Sequence, residues 1–229
     1  MPRERLDREF NHLQDEVLIL GSMVEQAVVD SVEALKHRDQ AASRQVYRGD
    51  RLINEKRFAI ENAVLVLIAT QQPMAHDLRL LAAMLEVITE LERIGDYAKG
   101  IAKINILLGE SVVPIPMMEF SRMEDLGVSM LHRALGAFIS EDSETARSIP
   151  EEDIEVDRLY NRIYKQLISA MIANPEIIDH ASYLLWVAHN LERTADRVSN
   201  ICERTVFLAT GELMELEADE EDDSQDLFG

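Results

Sequence analysis

The sequence predicts an all-α fold: six helices forming two tandem, pseudo-symmetric three-helix bundles. Three observations predict it. Apolar residues recur at three-to-four spacing along almost all of the 229 residues, and no stretch sustains the two-residue alternation of a strand. Nine glycines and six prolines leave room for long uninterrupted elements. The two halves of the chain resemble each other at positions about a hundred residues apart, which a duplicated unit explains. Aromatic residues make up only 5% of the chain against 47% hydrophobic, so the core is aliphatic.

The helices follow from periodicity and punctuation. The first is predicted over about 3–37 and the second over about 40–70, ended by Pro73. The third runs over about 74–108 and stops at Gly109. Pro114 and Pro116 flank Ile115 in a connector, after which the fourth covers about 117–140. The fifth is predicted over about 143–173, with Pro150 kinking it or marking its true start. Pro175 separates it from the sixth, over about 176–210, which Gly211 caps. The bundles are thus expected over 1–110 and 111–212, with an acidic, disordered tail over 213–229.

The repeat is specific at the residue level. Leu91-Glu92-Arg93-Ile94-Gly95-Asp96 is answered by Leu191-Glu192-Arg193-Thr194-Ala195-Asp196, and Gly109-Glu110 by Gly211-Glu212. Upstream, Asp50-x-x-x-Asn54 matches Asp153-x-x-x-Asp157, and Ile53 matches Val156.

At about 100° per residue, the third helix carries an apolar stripe of Met84, Leu85, Ile88, Leu91, Gly95, Ala98 and Ala102. Glu92 and Asp96 fall about 70° and about 110° round from its centre, at the border of the core. On the sixth helix Glu192, Asp196 and Glu203 lie together beside the equivalent stripe, with Asn200 further round. Like charges four residues apart disfavour a helix, and a core border strips some of their hydration. A cation relieves both. Oxygen ligands suit Mg, Ca, Mn or Fe and, less well, Zn. The second helix of each bundle adds Asp50 and Asn54, or Asp153 and Asp157. The plainer reading is a solvated acidic face, with Arg93 or Arg193 pairing inside each E-R-x-x-D run.

Charge and motifs exclude several classes. The formal net charge is −20, and from Glu212 onward there are nine acidic residues and no Lys or Arg. That sign repels nucleic acid and anionic lipid and suits a cation or a basic protein partner. No apolar run approaches the ~20 residues needed to span a bilayer, and no signal-peptide core opens the chain. An intracellular location is expected. The single cysteine, Cys202, lies in the stripe Val198, Cys202, Thr205 and Ala209, and reads as a small core residue. No G-x-x-x-x-G-K-[ST], G-x-G-x-x-G or H-E-x-x-H occurs. A di-iron enzyme of the ferritin type needs paired Glu-x-x-His motifs, and only Glu9-x-x-His12 fits. Two readings stay open: a metal-binding regulatory adaptor without catalysis, and a helical scaffold without a functional metal site. Asp77 reads as a helix-start residue, the methionines as core filler, and Trp186, opposite the sixth helix's stripe, as a contact candidate.

With the repeat laid out, the chain resembles the PhoU family over about residues 5–212. The carrying segments are Gln71-Gln72-Pro73-Met74-Ala75-His76-Asp77-Leu78-Arg79, then Leu91-Glu92-Arg93-Ile94-Gly95-Asp96, then Asn190-Leu191-Glu192-Arg193-Thr194-Ala195-Asp196 with Asn200-Ile201-Cys202-Glu203, and Thr210-Gly211-Glu212. The resemblance implies two three-helix bundles with iron or zinc clusters held by E/D-x-x-x-D motifs, Mg or Mn being alternatives. It implies negative regulation of phosphate uptake through the phosphate ABC transporter ATPase and the sensor histidine kinase of the phosphate two-component system. It also implies a cytoplasmic homodimer. Carried over, the ligand set is Asp50, Asn54, Glu92 and Asp96 on the first bundle. On the second it is Asp153, Asp157, Glu192, Asp196, Asn200 and Glu203. The first is poorer, with Gly100 and Lys103 where the second has Asn200 and Glu203. Lys103 is expected to oppose a cation there, so if only one cluster forms it is expected on the second bundle.

Overall fold

The computed structural model describes residues 2–109, 113 and 116–216. Among the described residues there is no strand. Helices α1 (Pro2–Lys36), α2 (Gln40–Gln71) and α3 (His76–Leu108) pack together as the first bundle. The second comprises α4 (Met117–Ser140), the short α5 (Ser143–Ser148), α6 (Asp153–Ala173) and α7 (Ile178–Thr210). The predicted fifth helix is divided. A 3₁₀ turn over Ile149–Glu152 separates α5 from α6. Pro150 causes this, because it offers no N–H and its ring clashes with the preceding turn. Residues 213–216 are not helical, and 217–229 of the expected tail lie outside the described residues.

The duplication extends to the turns. After α1, Arg38 takes a left-handed φ of 51°, and the Asp39 N–H donates to the Ala34 carbonyl at 2.8 Å. The Asp39 carboxylate then accepts from the N–H groups of Ala41 and Ala42 and starts α2. After α4, Glu141 has φ 56°, Asp142 N–H donates to Ala137 O at 2.9 Å, and the Asp142 side chain caps Glu144 and Thr145. Each turn thus closes one helix and nucleates the next by satisfying groups both would otherwise leave unpaired. Gly211, at φ 82°, caps α7 as the sequence implies.

One hydrophobic core runs through both bundles. Leu81, Met84, Ile88 and Ile94 of α3 and Leu184, Val187, Ala188 and Val198 of α7 are completely buried. Each large side chain among them contributes about 1.5–3 kcal/mol by leaving water. Inside the first bundle, buried Asn105 of α3 donates to Ala34 O of α1 at 2.9 Å and to Ser43 Oγ of α2 at 2.8 Å, tying its three helices together.

The bundles meet along α3 and α7 and along α1 and α4. Glu90 accepts from Asn200 at 3.1 Å, while Asn190 closes on the bare backbone of Gly100, where a Cβ would come within 2.9 Å of its amide nitrogen. Glu90 and Asn190 are repeat counterparts, as are Gly100 and Asn200. The seam is therefore antiparallel and obeys the pseudo-two-fold of the duplication. No helix among the described residues is long and apolar enough to cross a membrane.

Candidate metal centre

The fold brings the i,i+4 carboxylates of each bundle's second and last helices to one place. In the first bundle Ile53 of α2 sits against Gly95 of α3, so Asp50 and Asn54 flank the height of Glu92 and Asp96. Asp50 is buried, at 6% exposure. Lys99 Nζ donates to Asp50 Oδ2 at 2.7 Å and to Asp96 Oδ1 at 3.3 Å. Asn54 Nδ2 donates to the same Asp50 oxygen at 3.1 Å, leaving Oδ1 buried without a hydrogen bond. The Lys99 ammonium also lies 5.8 Å from the ring centre of Tyr47. Its hydrogen bond to Asp50 holds its pKa above the ordinary lysine value. Burial, aided by Asp96 and Asp50, pushes the Glu92 pKa up, and the Arg57 charge opposes the shift. Lys103, expected to oppose a cation, is exposed one turn further along. Lys99 does so instead, because three residues beyond Asp96 it shares that face of α3.

The second bundle has the acids without that lysine. Asp153 opens α6, and burial followed by the charges of Asp157, Asp196 and Glu192 pushes its pKa up to about 7. Burial, then Asp196 and Asp157, raises Glu192 to about 7 as well. The four carboxylates thus bear on one another's charge across α6 and α7. Arg193 donates to Asp196 Oδ2 at 2.8 Å, the internal pairing that an E-R-x-x-D run permits. Two oxygens stay buried without a hydrogen bond: Asp153 Oδ1 and Glu192 Oε2. His189 Nδ1 lies 3.3 Å from Glu192 Oε2 but is not aligned as a hydrogen-bond donor. Burying a charged oxygen without a partner is unfavourable, and the raised pKa values are the same cost expressed as protonation.

Asn200 and Glu203 do not join this cluster. The Asn200 amide donates across the seam to Glu90. Glu203 accepts from the Leu216 N–H at 3.1 Å and pairs with Arg204. The reason is helical geometry: Asn200 stands about 80° round α7 from Glu192, toward α3, and Glu203 stands about 16 Å along the axis. The sequence places both correctly on α7 but cannot see that Glu90 and the C-terminal segment claim them.

Among the described residues, no group of three or more His, Cys, Asp or Glu already stands close enough to hold an ion. The donor chemistry nevertheless differs between the bundles. In the second bundle the donors are all oxygens, two of them buried without a hydrogen bond, on Asp153 and Glu192, and such donors suit a hard or borderline cation. The first bundle does not fit one, because an ammonium already sits between Asp50 and Asp96. Trp186, expected as a contact candidate, is 60% exposed and packs edge-on against His189 at 5.7 Å.

A family profile described as PhoU domain matches residues 17–104 and again 120–205. The Phosphate-specific transport system accessory protein PhoU homolog of Clostridium acetobutylicum is 35% identical over 94% of this chain and 99% of that protein. The crystal structure of the phosphate transport system regulatory protein PhoU from Streptococcus pneumoniae superposes with a TM-score of 0.86. It is 33% identical and covers 92% of this chain and 100% of its own. That of PhoU from Pseudomonas aeruginosa gives 0.85, at 31% identity over 90% and 99%. The chain belongs to the PhoU family.

Proposed function

We propose that this PhoU-family chain is a metal-binding, non-catalytic regulator that restrains phosphate uptake when phosphate is plentiful. Its partners are the ATPase of the phosphate ABC transporter and the sensor histidine kinase of the phosphate two-component system. The observation that carries the regulatory reading is the full-length match to a phosphate transport accessory protein, tail excepted. The similar structure from Streptococcus pneumoniae is described as a phosphate transport system regulatory protein.

The metal reading rests on the second bundle. Asp153, Asp157, Glu192 and Asp196 would hold the ion, iron, zinc, magnesium and manganese all being compatible with carboxylate oxygens. Bound there, the metal supplies positive charge that lets the four acids stay ionised beside the core. The chain's own part is to fix α6 against α7 so that both acid pairs face one point. The protein acts in the cytoplasm as a homodimer, presenting rigid helical faces to its partners.

A strain lacking this protein and complemented with the wild-type chain or with E192Q/D196N tests both halves. Repressed phosphate uptake with the wild type and derepressed uptake with the variant supports a metal-dependent regulator. Equal repression by both, with no metal in either purified protein, supports a helical scaffold instead.

A further inference from the structure

Four first-bundle residues surround Asp50 and its neighbours, two as cations (Lys99, Arg57), one as an amide donor (Asn54) and one as a ring beside the ammonium (Tyr47), and none of their second-bundle counterparts is positively charged. Lys99 becomes Ser199, Arg57 becomes Tyr160, Asn54 becomes Asp157 and Tyr47 becomes Pro150. Asp50, Glu92 and Asp96 themselves are kept as Asp153, Glu192 and Asp196. The acids are thus duplicated while the lysine between them is not. In the second bundle Arg193 pairs with Asp196, and Arg193 and Arg197 bear on Glu192, but no cation joins Asp153 of α6 to the acids of α7 among the ion pairs of the described residues.

We infer that Lys99 is the resident cation of the first bundle's acidic site, so that metal binding is confined to the second bundle; this rests on the reading that the second bundle holds metal. The geometry is that of a seated ion. The ammonium is bonded to Asp50 of α2 and Asp96 of α3 at 2.7 and 3.3 Å and lies over Tyr47. It therefore bridges the same two helices that a metal would bridge. Lys99 is 31% exposed, while the Asp50 side chain it neutralises is 8% exposed. A metal ion entering there must expel an ammonium tied at two carboxylates and cannot restore the hydrogen bonds it breaks. A second charge guards the rim: Arg57 pairs with Glu61 at 3.0 Å and bears on Glu92. The lysine takes over the structural part of the metal's role, permanently and without dependence on supply. The duplicated protein would then sense metal through one half only.

Zinc titration of metal-free protein, read by bound zinc after desalting and by calorimetry, tests this. E192Q/D196N, with Lys99 intact, should take up no zinc. E192Q/D196N/K99S should take up about one equivalent, retained through desalting. Helicity by circular dichroism accompanies each protein, and K99Q, which keeps a donor for Asp50, replaces K99S if the triple variant unfolds. Uptake by E192Q/D196N itself overturns the inference, as does absence of uptake by a folded K99S or K99Q triple variant. If the wild type binds none and the triple variant binds one, the role of Lys99 stands and the metal reading of the second bundle falls.

Discussion

The two bundles share a fold, a turn chemistry and a set of acids, and they differ in how those acids are balanced. In the first, Lys99 bridges Asp50 and Asp96. In the second, Ser199 stands at that position, and two carboxylates, Asp153 and Glu192, keep a buried oxygen without a hydrogen bond where the first bundle has one, on Asp50. The pKa values register the contrast, Asp153 and Glu192 each being raised to about 7. A duplicated scaffold can thus keep its architecture while one copy sets a lysine between the acids of two helices and the other does not.

The largest effects test that contrast by charge swapping. E192Q/D196N should lose all bound metal by elemental analysis, whereas E92Q/D96N should keep the wild-type content. S199K, which gives the second bundle the first bundle's lysine, should also abolish metal binding while raising the melting temperature of metal-free protein. Retention of metal by S199K would show that a lysine at this register does not displace an ion.

Next in size is the lysine itself. Lys99→Met leaves Asp50 buried beside an apolar chain, at a cost of about 2 kcal/mol. Thermal melting should fall by roughly 4–8 °C for a chain of this length. Ser199→Met, at the counterpart, should change it far less. Equal losses at both positions would remove the asymmetry.

A smaller effect is a pH slope in the metal-free protein. Unfolded, Asp153 and Glu192 titrate near the ordinary carboxylate values; folded, they do so at about 7. The native state therefore binds more protons between about pH 4 and 7, and stability falls as pH rises through that window. Buried Glu124, also raised to about 7, adds to the slope. D153N/E192Q should flatten it by the second bundle's share, and saturating zinc should do the same in the wild type. A slope unchanged by either would remove these two acids from the account. The smallest effect belongs to Cys202, the counterpart of Ala102. Its thiol is buried and pushed up to about 12, so a thiol reagent should leave the native protein unmodified over hours.

Much of this was legible in the sequence. Period and prolines give the long helices, and the paired E-R-x-x-D runs give the repeat and the acids at the core border, except that Asp96 proves exposed, its side chain 50% accessible. Asp39 and Asp142, each a helix-starting acid after a left-handed residue, carried a signal of the same kind that periodicity alone passes over. What the sequence could not convey lies in contacts between helices. Lys103 is the basic residue aligned with Glu203 in the repeat, yet Lys99 reaches Asp50, because α2 lies on that side of α3. Asn200 lies near the acids on a helical wheel but is claimed by Glu90 across the seam, a partner 110 positions away.

Anomalous diffraction from crystals grown with zinc tests the asymmetry most directly. The account predicts a peak among Asp153, Asp157, Glu192 and Asp196, with the Lys99 ammonium between Asp50 and Asp96 and no peak there. A peak between Asp50, Glu92 and Asp96, with Lys99 turned out to solvent, would contradict it.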